Sequence, residues 1–166
     1  MFFAAAKYVN AEKGVDDATA ALAGAKDIVA ELVSENAEIR GTIYSGNFIP
    51  YFQFEKNWIA VGGRPGRSGL AGYKYEDGPG CYVILIFDHP VTDGNWADYE
   101  NIYIGQSVKV CQRVHNHFNG KGNGDVYADI RSGKFVYVQF EICEMEEMND
   151  LEKELIEAFN ATSSYN

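Results

Sequence analysis

Apolar residues recur at helical spacing between residues 18 and 40, as in Leu22, Ala25, Val29, Leu32 and Val33, with acidic and amide residues between them. That period predicts a helix. Gly14 is expected to break it from a shorter helical piece over residues 4–12, and Asp16 or Asp17 offers an N-cap. Residues 48–61 alternate aromatic and polar positions through Tyr51, Phe52, Gln53, Phe54 and Trp58, which predicts an extra strand or two. The glycine clusters that follow, Gly62-Gly63-Arg64-Pro65-Gly66-Arg67 and residues 69–72, have the chemistry of a loop or linker.

After Gly78-Pro79-Gly80 the pattern becomes a compact succession of elements. Residues 81–88 read as a buried strand and 101–106 as a second, joined by a glycine- and asparagine-containing loop. Residues 108–118 read as a helix with Val110, Cys111, Val114 and Phe118 on its core face. A short helix at 125–132 leads into a strongly β-forming run at 134–143. A last helix at 150–160 starts behind Asn149 or Asp150 and turns Leu151, Leu155, Ile156 and Phe159 inward. The pattern divides the chain into a helical extension (1–40), an aromatic and glycine-rich connector (41–77) and an α/β domain (78–166). The domain is expected to hold a small, mainly antiparallel three-stranded sheet flanked by helices.

The chain is 166 residues long and 46% hydrophobic, enough for one real core and too apolar for wholesale disorder. Its longest apolar run, residues 81–87, is far too short to span a membrane, and the opening Met1-Phe2-Phe3 lacks the basic start of a secretory leader. Cys81, Cys111 and Cys143 are odd in number and form no CxxC pair, so neither a disulfide framework nor a structural zinc site is indicated. A reducing cytoplasm is the expected location.

The net charge of −10 weighs against nucleic-acid binding. From Gly78 onward, six Lys or Arg stand against fourteen Asp or Glu, a net of −8. Any polyanion contact must use a local basic strip, for which Lys109, Arg113, Lys121 and Arg131 are the candidates, with the acidic stretch at 141–157 facing elsewhere. Arg64 and Arg67 form a second, weaker basic loop.

Five ordered marks carry specific chemistry. Gly80-Cys81-Tyr82 opens the first strand of the domain and Tyr103-Ile104-Gly105 ends the second. The helix Gln106-Ser107-Val108-Lys109-Val110-Cys111-Gln112-Arg113-Val114-His115-Asn116-His117-Phe118 places arginine ten positions after Tyr103 and histidine four beyond it. Leu151-Glu152 and Leu155-Ile156 mark the last helix, and Tyr165-Asn166 closes the chain. Arg113 and His117, four apart, project from one helical face, whereas His115 must point elsewhere. An arginine fork suits two phosphate oxygens.

In this order and on these elements, residues 78–166 resemble the GIY-YIG nucleases. The resemblance implies a metal-dependent DNA endonuclease in which Arg113 stabilises the phosphate, Tyr82 and Tyr103 position water or phosphate, and His117 passes or accepts a proton. Glu152 is implied as the ligand of Mg2+ (or Mn2+), Glu154 being the alternative when counted from the chain end. Asn166 fills the terminal asparagine that helps organise the site. Several members carry lysine directly after the glycine of the second motif; here that residue is Gln106, which puts a phenolate base at Tyr103 in question. Nucleic-acid contact falls to Lys109, Arg113 and Lys121. DNA is the expected partner, with the oligomeric state open and a homodimer among the options. The alternative is a catalytically inactive binding or interaction module on the same fold.

Lys7-Tyr8-Val9, Gly14-Val15, residues 23–31 and Arg40 resemble part of the N-terminal helical region of Tex-like transcription accessory proteins. That likeness implies no more than a helical hairpin.

Overall fold

The computed structural model describes residues 2–60 and 77–166. The chain divides into two compact units, Met1–Glu38 and Ile39–Asn166. The loop glycines and arginines at 61–76 lie outside the described residues. No helix among the described residues is long and apolar enough to cross a membrane.

The first unit is helix α1 (Phe2–Tyr44), whose last turn belongs to the second unit. The break expected at Gly14 does not occur, and neither Asp16 nor Asp17 caps a helix start. One interior glycine costs only about 1 kcal/mol against alanine, and the alanines at 18, 20, 21, 23 and 25 on its C-terminal side are the strongest helix formers. A continuous helix replaces the hairpin.

The second unit is α/β. Strand β1 (Ile49–Pro50) and helix α2 (Tyr51–Ala60) precede strand β2 (Gly80–Phe87), strand β3 (Asn101–Ser107), helix α3 (Val110–Phe118), helix α4 (Gly124–Arg131), strand β4 (Phe135–Ile142) and helix α5 (Met148–Phe159), with a 3-10 turn at Ala161–Ser163. The sheet is antiparallel in the order β1-β4-β2-β3, so it has four strands where three were expected. The added strand is a two-residue edge in which Pro50, lacking an N–H, is well placed. Most of the aromatic run at 48–61 is helical rather than extended. Phe54, Asn57 and Trp58 are buried at three- and four-residue spacing, and Phe54 packs on Phe118 at 5.6 Å and Phe140 at 5.7 Å. Tertiary packing overrides the alternation.

All eight residues of β2 are buried because both its faces are covered. Tyr82, Ile84 and Ile86 join the core under α2 and α3, built with Val110, Cys111, Val114 and Phe118. Cys81, Val83, Leu85 and Phe87 join the core under α5, with Leu155, Ala158, Phe159 and the α1 residue Ile43. A central strand covered on both sides reads as an unbroken apolar run, which is why it was so plain in the sequence. Helix α5 starts earlier than expected, with Glu147 in the cap position and no side-chain bond from Asn149 or Asp150. Buried Met148 draws that first turn inward, and its carbonyl accepts a contact from Cys81 Sγ at 3.5 Å.

Candidate active site

Strand pairing sets Tyr82 opposite Gly105. The Tyr82 hydroxyl lies directly over Gly105, so a Cβ there would collide with it. Glycine at the end of Tyr103-Ile104-Gly105 is therefore a requirement of close approach. Helix α3 runs across the same face. Its start is held by residues just before β2: Gly78 O accepts from Val110 N at 3.1 Å and Asp77 Oδ1 from Cys111 N at 2.9 Å. Lys109, in the cap position, makes no side-chain cap bond.

His117 is completely buried. The backbone N–H of Asn123 donates to His117 Nδ1 at 2.6 Å, so the neutral ring carries its proton on Nε2. That N–H donates to the Tyr82 hydroxyl at 2.8 Å. Gly122 lets the loop come this close, since a Cβ on it would strike the imidazole. Arg113 and Tyr103 both come close to the Tyr82 hydroxyl. The three rings form a triangle, with centroids 6.2 Å apart for Tyr82–Tyr103, 5.6 Å for Tyr82–His117 and 5.0 Å for Tyr103–His117.

Burial and the neighbouring Tyr103 push the Tyr82 phenol well up from its ordinary range, against the opposing pull of Arg113. Burial, and then the Arg113 charge, bring His117 down to about 4. Neither is free to take a proton at neutral pH. Arg113 is exposed on α3 beside both rings, and Tyr103, half-buried, is the phenol of the pair with access to solvent. Lys109 and Lys121, at either end of α3, are exposed as well. Among the described residues, none of the ion pairs involves Lys109, Arg113 or Lys121. Arg131 is exposed on α4.

Glu152 comes from the other side. It sits on α5, which packs on the opposite face of the sheet, and its Oε2 accepts from Gln106 Nε2 at 2.8 Å. The same amide nitrogen donates to Asn149 Oδ1 at 2.8 Å. Gln106 directly follows Gly105, so the carboxylate and the ring triangle meet the same end of β3 from opposite faces. The rings and Arg113 are thus brought together, and Glu152 is joined to them through the β3 backbone rather than by direct contact. Glu154 instead lines a cavity with Cys143, Glu146, Glu147, Asp150 and Leu151.

Asn166 does not reach the rings. Its side chain pairs with the β3 backbone, Oδ1 accepting from Ile104 N at 2.8 Å and Nδ2 donating to Ile104 O at 2.6 Å. Ser164 Oγ accepts from Ile102 N at 3.0 Å and Tyr165 N donates to Ile102 O at 3.2 Å. The tail therefore covers the open edge of the strand that carries Tyr103. Tyr165 is anchored in turn by its hydroxyl on Asp129 Oδ2 at 2.6 Å. Sequence reasoning missed Asn123, which caps α4 through Asp125 N and Val126 N, donates from Nδ2 to Tyr165 O at 3.2 Å and fixes the His117 tautomer. Its cap role had a signal, an asparagine just before a helical run. The bond to His117 is set by the fold and had none.

A glycine-dependent tyrosine pair, a buried histidine and an exposed arginine, placed in this order on β2, β3 and α3, have a counterpart among protein families. The family model described as GIY-YIG catalytic domain matches residues 80–166. The chain belongs to the GIY-YIG family. The GIY-YIG match begins at the first residue of β2 and includes the docked tail. A second model, described as Tex central region-like, matches residues 3–46, the stretch that forms α1 and the turn after it. Searches of curated proteins and of solved structures each found no match.

Proposed function

We propose that this chain is a metal-dependent endonuclease that hydrolyses DNA phosphodiester bonds. The observation that carries the reading is the ring triangle of Tyr82, Tyr103 and His117 with Arg113 exposed beside it, a preorganised polar wall with a cation in no ion pair among the described residues. Arg113 would hold two phosphate oxygens and offset the charge that builds on them during attack. Tyr82, locked by His117, would orient Tyr103, whose hydroxyl would position the attacking water. His117 serves by donating from Nε2 and holding Tyr82, and Asn166 by fixing the β3 backbone beside Tyr103. Lys109 and Lys121 would take flanking phosphates.

The oxygen donors at Glu152 and the neighbouring Asn149 fit a hard cation such as Mg2+ (or Mn2+) that keeps most of its water ligands. Among the described residues there is no cluster of three or more His, Cys, Asp or Glu that could cage a metal, so Glu152 would hold it largely alone. When bound, such an ion supplies an acidified water and charge neutralisation at the phosphate.

A second reading, a non-cutting interaction module, draws on Gln106. A neutral amide occupies one oxygen of Glu152 where several family members have lysine, and the chain is acidic overall. Incubation with plasmid, branched and single-stranded DNA, with magnesium or chelator, separates the two. The nuclease reading expects magnesium-dependent cuts, lost in Arg113→Ala and Glu152→Ala; the module reading expects intact DNA and no magnesium binding.

A further inference from the structure

Nothing in the proposed chemistry uses α1. Every described side chain from Asp17 to Glu35 is exposed. Among them Leu22 is 58% exposed, Ile28 59%, Val29 58% and Val33 61%, with Val15 at 63% just before. Exposed apolar residues scattered singly need no explanation. Three of these, Val15, Leu22 and Val29, keep a seven-residue period. Val15, Leu22 and Val29 fall at one heptad position, Asn36 continues that series, and Ala18, Ala25 and Leu32 follow three residues after each of the first three. A strict repeat of seven holds its seam against a partner only when two helices wind around each other with a left-handed supercoil. A lone helix in water gains little from such a row and is marginal by itself.

We propose that residues 15–36 of α1 form a parallel two-stranded coiled coil with the same segment of a second copy of this chain. Three features select that occupant. β-branched Val29 at the first seam position with Leu32 at the second favours two strands. In a parallel pair each seam position meets its own kind, so Asn36 faces Asn36 and the two amides bond to each other. An antiparallel pair sets it against the Ala18, Ala25 and Leu32 series, which is apolar and leaves the amide without a partner. The positions flanking the seam are self-complementary too. In the parallel register Ala21 lies beside Lys26 and Ile28 beside Val33, so no like charges meet and the apolar strip widens at its centre. Asp17, Asp27 and Glu31 fall at outer positions. The seam ends where Ile43, the next residue in the Val15 series, enters the core of the second unit.

Sedimentation of the full chain at rising concentration tests this independently of any nuclease activity. The mass should approach twice the 18.5 kDa of one chain. Val29→Lys, a charge in the seam, should raise the dissociation constant by about 100-fold or more, whereas Ala30→Lys, one residue off the seam, should leave it unchanged. Under oxidation Ala18→Cys should link two copies by a disulfide that wild type does not form, since only the parallel register brings the two sulfurs together. A chain that stays monomeric, alone or while capturing another polypeptide, overturns the proposal. So does a dimer that responds equally to both lysines, or an Ala18→Cys variant that fails to cross-link.

Discussion

The two faces of the sheet are built on opposite plans. Under α3 the candidate site groups are interlocked: Tyr82 and His117 are buried, each ring nitrogen of His117 is engaged, and two glycines let groups touch. Around them α3 presents exposed Arg113, with Lys109 and Lys121 at its ends. Under α5 lies a second apolar core, with the Glu152 carboxylate at its rim, held by a single amide, and the nearby surface is acidic through Glu144, Glu146 and Glu147. The lesson is a division of labour. One face is rigid and presents the exposed guanidinium of Arg113; the other presents a partly buried carboxylate, Glu152. The acids of α5 lie on the other face from Arg113, whereas Glu55, Asp77, Asp125 and Asp129 share the α3 side with it.

The comparison breaks first at its two exposed poles. Arg113→Ala and Glu152→Ala should each lower DNA cleavage by roughly 10²–10³-fold or more while shifting unfolding by no more than about 1 kcal/mol. Full activity in Glu152→Ala would remove the α5 face from the site. The interior of the α3 face is sharpened by pH. His117 is held neutral in the fold and drops to about 4, so below the ordinary imidazole range the unfolded chain takes up a proton that the native chain refuses. Its contribution is complete above about pH 6.5 and drains away as pH falls to 4, a loss of up to about 3 kcal/mol. Denaturant titrations across that window should show a steeper decline for wild type than for His117→Gln; parallel curves would mean that the imidazole is not held neutral.

Smaller effects probe the close contacts. Gly105→Ala drives a methyl group into the Tyr82 hydroxyl and should destabilise by about 1–3 kcal/mol, with loss of the Tyr82–His117 bond visible as a shifted imidazole resonance. A neutral substitution would show that Tyr82 has room to move. The mildest change is Gln106→Ala. With the amide that orients Glu152 gone, magnesium affinity should fall about tenfold, with stability nearly unchanged; tighter binding would show that Gln106 competes with the ion instead.

Much of this was legible in the sequence because local signals and packing agree. The β2 run, the core face of α3 and the inward residues of α5 are set by simple periodicity, and the structure finds those elements within about two residues of the expected bounds. The motif order also pointed to Tyr82, Tyr103, Arg113 and His117 as neighbours. What stayed hidden depends on contacts distant in sequence. Helix α2 is helical because Phe54 and Trp58 find the core, which an aromatic alternation cannot reveal. Gly14 was overrated as a breaker because the alanines that outweigh it are individually unremarkable. The neutral state of His117 comes from burial and then the Arg113 charge, its tautomer from a loop amide six residues away, and Asn166 acts on a strand edge 62 residues earlier in the chain.

The most direct test of the central claim is magnesium binding by the purified chain, followed by calorimetry, paired with cleavage of supercoiled and branched DNA. The account predicts one site per chain in wild type, none in Glu152→Ala, and cutting only where the site is filled. Magnesium binding that survives Glu152→Ala unchanged, or DNA left whole at saturating magnesium, would contradict it.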